Sequence, residues 1–321
     1  MEDLEGRFAV VTGGGSGMGR ELVQQLAASG CHVATCDVAA DALAETSAYA
    51  LETAPAGTIV TGFVADVSDE EQVLAFRDAT ASALHTDYIN LLFNNAGIGG
   101  GGSFVLDKRE EWDATFAVCW GGVYRCTRAF LPMLLASSEG HVVNTSSVNG
   151  FWASLGPNIA HTAYSAAKFA VKGFTEALIT DFRLHAPHLH ASVVMPGHIG
   201  TSIVLNSGRY FGRNPKDLTA EQVAEVRQRY ARIGMDTTGA SDEDIRQGMQ
   251  AQGEMFRDAA PMSASEAATV ILEGVRNNQW RILVGADADV LDRFVRESPE
   301  DAYDPSFLSR LQAEGAFGFA G

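Results

Sequence analysis

The feature that most constrains this chain is a glycine-rich turn, Thr12-Gly13-Gly14-Gly15-Ser16-Gly17-Met18-Gly19, set between a short apolar run and an amphipathic stretch. Arg7–Thr12 is brief, apolar and β-branched and stops at glycines, which reads as a buried strand. Arg20–Ser29 carries Leu22, Val23, Leu26 and Ala27 on one helical stripe and closes at Gly30. A strand that turns on glycine straight into a helix brings backbone N–H groups close to an anionic ligand, with the positive end of the helix dipole beneath it. Glycines of this number also occur in tight turns for steric reasons alone. Their place after the first strand of an alternating chain gives them weight.

That alternation continues for two hundred residues. Strands are expected at His32–Cys36, Thr58–Val64, Ile89–Phe93, His141–Thr145 and Ala191–Met195. Helices are expected at Asp41–Tyr49, Glu70–Leu84, Trp112–Leu135 and Tyr164–His185. Such a chain builds an α/β fold, a parallel sheet with helices on both faces in three αβα layers. From 202 to 262 the pattern becomes polar helix broken by glycines (Thr219–Ile233, Asp242–Arg257), too poor in apolar residues for a domain of its own. It reads as a helical cap inserted on the sheet edge. Ser263 and Glu266 then form a capping box for Glu266–Val275, and Arg281–Val284 is a last strand. The expected organisation is one domain over 1–285, including the cap, followed by an extension over 286–321. In that extension Phe294, Phe307, Phe317 and Phe319 are expected to dock on the protein's own surface or on a second subunit.

A formal net charge of −17 repels phosphate backbones and anionic lipid, so nucleic acid and membrane are not expected partners. No apolar run reaches the roughly 18 residues that span a bilayer, and the acidic N-terminus lacks a signal-peptide layout. The four cysteines, Cys31, Cys36, Cys119 and Cys126, form no CxxC pair. A reduced, cytoplasmic setting fits them.

Eighteen residues past Gly19, Asp37 ends the second strand. A carboxylate there accepts both hydroxyls of an adenosine ribose and repels a 2′-phosphate. Its blander reading is a loop aspartate or helix cap. Val38 follows where an arginine would favour NADP, and Ser16 adds no basic group to the turn, so the balance favours NAD. Tyr164 and Lys168 are spaced i, i+4, on one helix face. A neighbouring ammonium stabilises a phenolate, which suits a phenol for proton exchange with an alcohol or ketone. A lone YxxxK is often accidental. Here Asn144-Thr145-Ser146-Ser147 ends the preceding strand and brings a hydroxyl to the carboxyl edge of the sheet, where open α/β sheets bind ligands.

Taken in order, Thr12-Gly13-x-x-x-Gly17-x-Gly19, Asp66-Val67, Asn94-Asn95-Ala96-Gly97, Ser147, Tyr164-x-x-x-Lys168 and Pro196-Gly197-x-Ile199-x-Thr201 resemble the NAD(P)-dependent short-chain dehydrogenase/reductase family. The resemblance covers about residues 4–201 and returns loosely at 263–285. It implies a Rossmann-like, doubly wound sheet and an NAD cofactor. Gly13, Gly17 and Gly19, with Gly15, Ser16 and Met18 on the same turn, would hold the diphosphate. Asp37 and Val38 would meet the adenosine ribose, and Asp66 and Val67 the adenine. Asn94, Ala96 and Gly97 would line the cofactor edge, and Pro196, Gly197, Ile199 and Thr201 would orient the carboxamide. Tyr164 would be the acid/base, Ser147 the donor polarising the reacting oxygen, and Lys168 the group that binds the nicotinamide ribose and lowers the Tyr164 pKa. A homodimer or homotetramer through the helices Trp112–Leu135 and Tyr164–His185 is also implied.

Two departures stand out. Cys119 occupies the position where the family places an asparagine that supports a proton-relay water, and a thiol is expected to be unable to make both amide hydrogen bonds. The spacing of Ser147 and Tyr164 is longer than the family's, with extra residues around Ser154–His161 expected to bulge at the pocket rim. The rim segments Ile98–Phe104, Val148–His161 and His198–Met262 hold Phe104, Phe151, Trp152, Tyr210, Phe211, Met255 and Phe256. An apolar wall around one polar centre suits a hydrophobic secondary alcohol or its ketone, although half of these rings would serve equally as anchors for the cap. His161 and His198 lie near enough to touch substrate. His185, His188 and His190 read as a solvated turn, so no metal is expected. A dinucleotide sensor without turnover is the alternative, with Cys119 as its one support. A dehalogenase-like lyase would be expected to lose the glycine cradle.

Overall fold

The computed structural model describes all residues except Glu2, Pro157, Asn158, Ile233 and 316–321. Its first half runs β1 (Phe8–Thr12), α1 (Gly17–Ala28), β2 (His32–Asp37), α2 (Ala40–Thr53), β3 (Val60–Val64), α3 (Glu70–Leu84) and β4 (Leu91–Asn94). The second runs α4 (Arg109–Phe116), α5 (Gly122–Leu135), β5 (Gly140–Thr145), α6 (Thr162–His185) and β6 (Leu189–Pro196). There follow β7 (Ile199–Gly200), α7 (Ile203–Tyr210), α8 (Ala220–Arg232), α9 (Asp242–Asp258), β8 (Met262–Ser263), α10 (Ala264–Arg276), β9 (Arg281–Val284), α11 (Ala286–Glu297) and α12 (Pro305–Ala313).

Seven strands form one parallel sheet in the order β3-β2-β1-β4-β5-β6-β9. Alternation of side chains along the strands supplies two cores at once. Val10, Leu92 and Val142 face Phe76, Phe130 and Phe182 of α3, α5 and α6. Their neighbours Ala9, Val11, Leu91, Phe93 and Val143 face Leu22, Leu26, Ile271 and Leu272 of α1 and α10. The result is the Rossmann-like αβα sandwich. Strand order reverses between β1 and β4, which opens a crevice at the carboxyl ends of those two strands.

Local signals set several boundaries. The side chain of Asp69 accepts from the N–H groups of Glu71 and Gln72 at 2.9 and 3.1 Å and starts α3. The Ser263–Glu266 box starts α10 as the sequence suggested. The expected single helix Trp112–Leu135 is different. It begins at Arg109, and a π-helical turn at Ala117–Gly121 separates α4 from α5. Periodicity carries no sign of such a turn, which is a common feature of functional sites.

Beyond β6 the structure adds elements that the sequence reading lacked. A two-stranded pairing, β7 with β8, closes the base of 202–262, and α7 lies directly after it. Within this segment Leu218, Val223 and Ile245 form only a small apolar cluster. The acidic tail contains α11 and α12, with Phe294 and Phe307 buried against Trp152 and Leu291. Phe317 and Phe319 lie outside the described residues.

Candidate active site

The carboxyl ends of β1, β4, β5 and β6 meet along one edge, since these strands are neighbours in the sheet. The turn after β1 is shaped by contacts that exclude side chains. Gly13 has φ +70°, and a Cβ there would stand 2.8 Å from the Ala96 Cα. A Cβ on Gly19 would lie 2.0 Å from the Gly13 carbonyl oxygen. Thr12 and Asn95 lock the turn onto β4: the Thr12 hydroxyl accepts from the N–H groups of Asn95 and Ala96, each at 3.0 Å. Asn95 Nδ2 donates to the Thr12 carbonyl at 3.2 Å. Neither residue was assigned a role from sequence, although both lie inside the quoted motifs.

At the start of α1, Ser16 makes no side-chain cap, so the first N–H groups of that helix have no such partner. Gly17 packs against Thr201, and Met18 lies on the same turn. Asp37 flanks the cradle. Its carboxylate accepts from Gly15 N at 3.0 Å and Ala39 N at 3.1 Å, while Val38 beside it is exposed. Arg20, a cation beside the turn, is held by the Gly15 carbonyl and Glu45 at 2.8 and 2.7 Å. Close backbone approach, helix donors without a side-chain cap and an adjacent carboxylate fit the diphosphate and adenosine ribose of a dinucleotide.

Farther along the edge, Asp66 accepts from Ser68 N at 2.8 Å and from the Tyr210 hydroxyl at 3.2 Å, and Val67 is buried beneath Gly122. Asn94 ties the central strands by donating to Asn144 Oδ1 at 2.8 Å and Thr127 Oγ1 at 2.9 Å. Its own Oδ1 is buried without a hydrogen-bond partner. Pro196 ends β6, and Gly197, Ile199 and Thr201 follow it.

Ser147, Tyr164 and Lys168 converge here. Lys168 is buried on α6, its Nζ donates to the Thr145 carbonyl at 2.8 Å, and it stands 5.3 Å from the centre of the Tyr164 ring. Ser146 reinforces this by donating to the Lys168 carbonyl at 2.8 Å. Burial pushes the Tyr164 phenol well above its usual value, the Cys119 sulfur adds to that, and a hydrogen bond with Ser147 opposes it. Burial lowers Lys168. The expected lowering of Tyr164 by its lysine neighbour is not seen in the protein alone, where desolvation of the phenolate dominates.

Cys119 sits in the π-helical turn, fully buried. The sulfur donates to the Ile98 carbonyl at 3.1 Å and receives the Ile98 N–H at 3.4 Å. The expectation that a thiol fails to replace both amide bonds is thus corrected: one S–H and one sulfur lone pair serve the two backbone groups of the same residue. Cys119→Ser should keep turnover within about threefold, since a hydroxyl offers the same donor and acceptor. Cys119→Ala should lower unfolding free energy by about 1–3 kcal/mol by stranding Ile98. Denaturant titration and steady-state kinetics on both variants check the pair.

Several rim rings do other work. Trp152 and Phe151 face the C-terminal helices, and Phe256 packs at a tilt on His198 with ring centres 4.3 Å apart. Tyr210 reaches Asp66 instead of lining the catalytic end, and Phe211 packs against Gly100. Phe104, Val105, Leu106, Ile159 and Met255 remain exposed. His161 lies with its ring centre 4.7 Å from that of Tyr164, and burial lowers its pKa to about 4. His198 is anchored, with its N–H on Asp287 and its Nε2 on the Phe256 carbonyl. Of the three-histidine turn, His185 pairs with Asp181 and His190 packs on His141, at the opposite end of the sheet.

A doubly wound sheet with a glycine cradle at its switch point and a tyrosine–lysine pair on the same edge defines a class of oxidoreductase folds. The model of the short chain dehydrogenase family matches residues 7–209, and the chain belongs to that family. It is 34% identical over 297 residues to SadH of Mycobacterium tuberculosis, a protein named as an oxidoreductase, covering 92% of each chain. It is 34% identical over 221 residues to levodione reductase of Leifsonia aquatica, covering 68% of this chain and 79% of that one. Among solved structures, a short-chain dehydrogenase/reductase from Burkholderia phymatum in complex with NAD superimposes with a TM-score of 0.74 at 29% identity. The match covers 95% of this chain and 98% of that one. No helix among the described residues is long and apolar enough to cross a membrane.

Proposed function

We propose that this oxidoreductase interconverts a hydrophobic secondary alcohol and its ketone, using NAD. The observation that carries the reading is the convergence of Ser147, Tyr164 and Lys168 at the sheet edge that also holds the glycine cradle. Bound dinucleotide supplies the hydride acceptor at nicotinamide C4. Tyr164 Oη takes the proton of the substrate hydroxyl in the oxidative direction and returns it on reduction. Ser147 Oγ donates to the same oxygen and fixes its position. Lys168, held by the Thr145 carbonyl, presents its ammonium to the nicotinamide ribose and to the phenol. Gly13, Gly15, Ser16, Gly17, Met18 and Gly19 bind the diphosphate, and Asp37 the ribose, with Val38 offering no charged partner to a 2′-phosphate. Asp66 and Val67 bound the adenine; Asn94, Ala96 and Gly97 form the floor; Pro196, Gly197, Ile199 and Thr201 orient the carboxamide.

The exposed Phe104, Val105, Leu106, Ile159 and Met255 support an apolar substrate. Against the sensor alternative stands Cys119, whose sulfur bonds both backbone groups of Ile98. We read 1–285 as one domain with 202–262 as its cap, and 286–321 as an extension. Tyr124 and Leu135 on α5, with Phe169 and Leu184 on α6, are exposed and apolar and suit a homodimer or homotetramer. Four free cysteines suit a reducing cytoplasm.

The pH profile tests the acid/base. Oxidation needs the deprotonated phenol and reduction the protonated one. With Tyr164 raised by burial, oxidation should climb through the alkaline range while reduction holds at neutral pH and falls only when alkaline. A limb near ~4 to ~6.5 that survives Tyr164→Phe would hand the role to a histidine.

A further inference from the structure

The reaction centre is flanked by two loops, Ser147–Ala153 after β5 and Pro196–Ile199 after β6, and both are held by the C-terminal helices. Asp287 lies in the first turn of α11 and is only 8% exposed. One carboxylate oxygen accepts from His198 N at 2.7 Å. The carboxylate also lies against Gly197, where any Cβ would collide with it, and its second oxygen is buried without a hydrogen-bond partner. Gly285, with φ +106°, supplies the backbone turn that folds Asp287 back onto this loop.

The other loop is reached by a chain of hydrogen bonds that starts at Ser147. Its Oγ accepts from Asn149 N at 3.1 Å, and Asn149 Nδ2 donates to the Trp152 and Ser154 carbonyls at 3.0 and 2.8 Å. Trp152 Nε1 donates to the Ala302 carbonyl at 2.6 Å, and Ala153 N to the Tyr303 hydroxyl at 3.0 Å. Val148 and Trp152 are buried among Leu291, Phe294, Phe307 and Leu311 of α11 and α12. Ser147 Oγ is thereby linked through Asn149 to the Trp152–Ala153 segment that Ala302 and Tyr303 hold.

We propose that the C-terminal extension positions the reaction centre, with Asp287 fixing the Pro196–Ile199 loop and Tyr303 fixing the segment that orients Ser147. This rests on the functional reading above. The two anchors serve different steps. The Pro196–Ile199 loop meets the dinucleotide, so loss of its anchor weakens cofactor binding. The Ser147–Ala153 loop meets only the reacting oxygen, so loss of its anchor slows turnover.

Calorimetry with NAD and steady-state kinetics on the full chain separate these effects. Asp287→Ala is expected to raise the NAD dissociation constant about tenfold, the scale of one buried hydrogen bond. Asp287→Asn keeps an oxygen for His198 N and should return it to within about threefold. Tyr303→Phe, at an exposed ring, should leave NAD affinity within about twofold and lower kcat about tenfold. NAD affinity and kcat unchanged in Asp287→Ala and Tyr303→Phe, with only thermal midpoints shifted, would overturn the proposal and leave the functional reading intact. The same fall in both constants for both variants would also overturn it. Wild-type protein that binds no dinucleotide would overturn both.

Discussion

Tyr164→Phe is expected to lower turnover by about 10²–10⁴-fold, the range of a positioned general acid/base, with NAD affinity changed by less than about twofold. The substitution removes one oxygen and keeps the ring that packs against His161 and beneath Lys168 Nζ. Lys168 stays anchored on the Thr145 carbonyl, so the ribose site survives. Initial rates by reduced-nicotinamide absorbance, with calorimetry on the same preparation, give both numbers. Retention of more than about a tenth of wild-type turnover would assign proton transfer elsewhere, with the His161 ring beside Tyr164 as the candidate.

The second large effect concerns the choice of dinucleotide. Wild-type protein should favour NAD over NADP by at least about 100-fold in kcat/KM. A 2′-phosphate would face the Asp37 carboxylate, and Arg20 is already bound by Gly15 and Glu45. Two charges about 4 Å apart interact by about 4 kcal/mol at an effective dielectric near 20. Replacing Asp37 by Ser together with Val38→Arg exchanges repulsion for attraction and should move the ratio by about 10²–10³ toward NADP. An unchanged ratio would remove Asp37 from the ribose site.

The parts legible in the sequence are those written in local chemistry. β1, the glycine turn and α1 are contiguous, and the period of the apolar residues places the strands and helices up to β6, apart from the break between α4 and α5, to within a few positions. The i, i+4 spacing puts Tyr164 and Lys168 on one face, and the strand order brings Ser147 to them. What the sequence hides depends on contacts between distant segments. The π-helical turn at Ala117–Gly121 contains the residue that bonds Ile98, and no periodicity announces that pairing. The tail reads as acidic because α11 and α12 bury one narrow face only, on Trp152 and Val148. The Tyr164 proton is a matter of burial, which spacing does not report. Asn206, whose amide donates to Ser16 Oγ at 3.0 Å, and Tyr210 on Asp66 bring α7 across the crevice, also by long-range contact.

Hydride transfer from an apolar secondary alcohol to NAD is read by reduced-nicotinamide absorbance, with NAD or NADP, across a series of cyclic, aromatic and terpenoid secondary alcohols set beside small charged hydroxy acids. NAD-dependent reduction is expected with the apolar alcohols, weak signal with NADP and none with the acids. Turnover confined to charged hydroxy acids, or binding of NAD without turnover of any alcohol or ketone in the series, would rule out the proposed reaction.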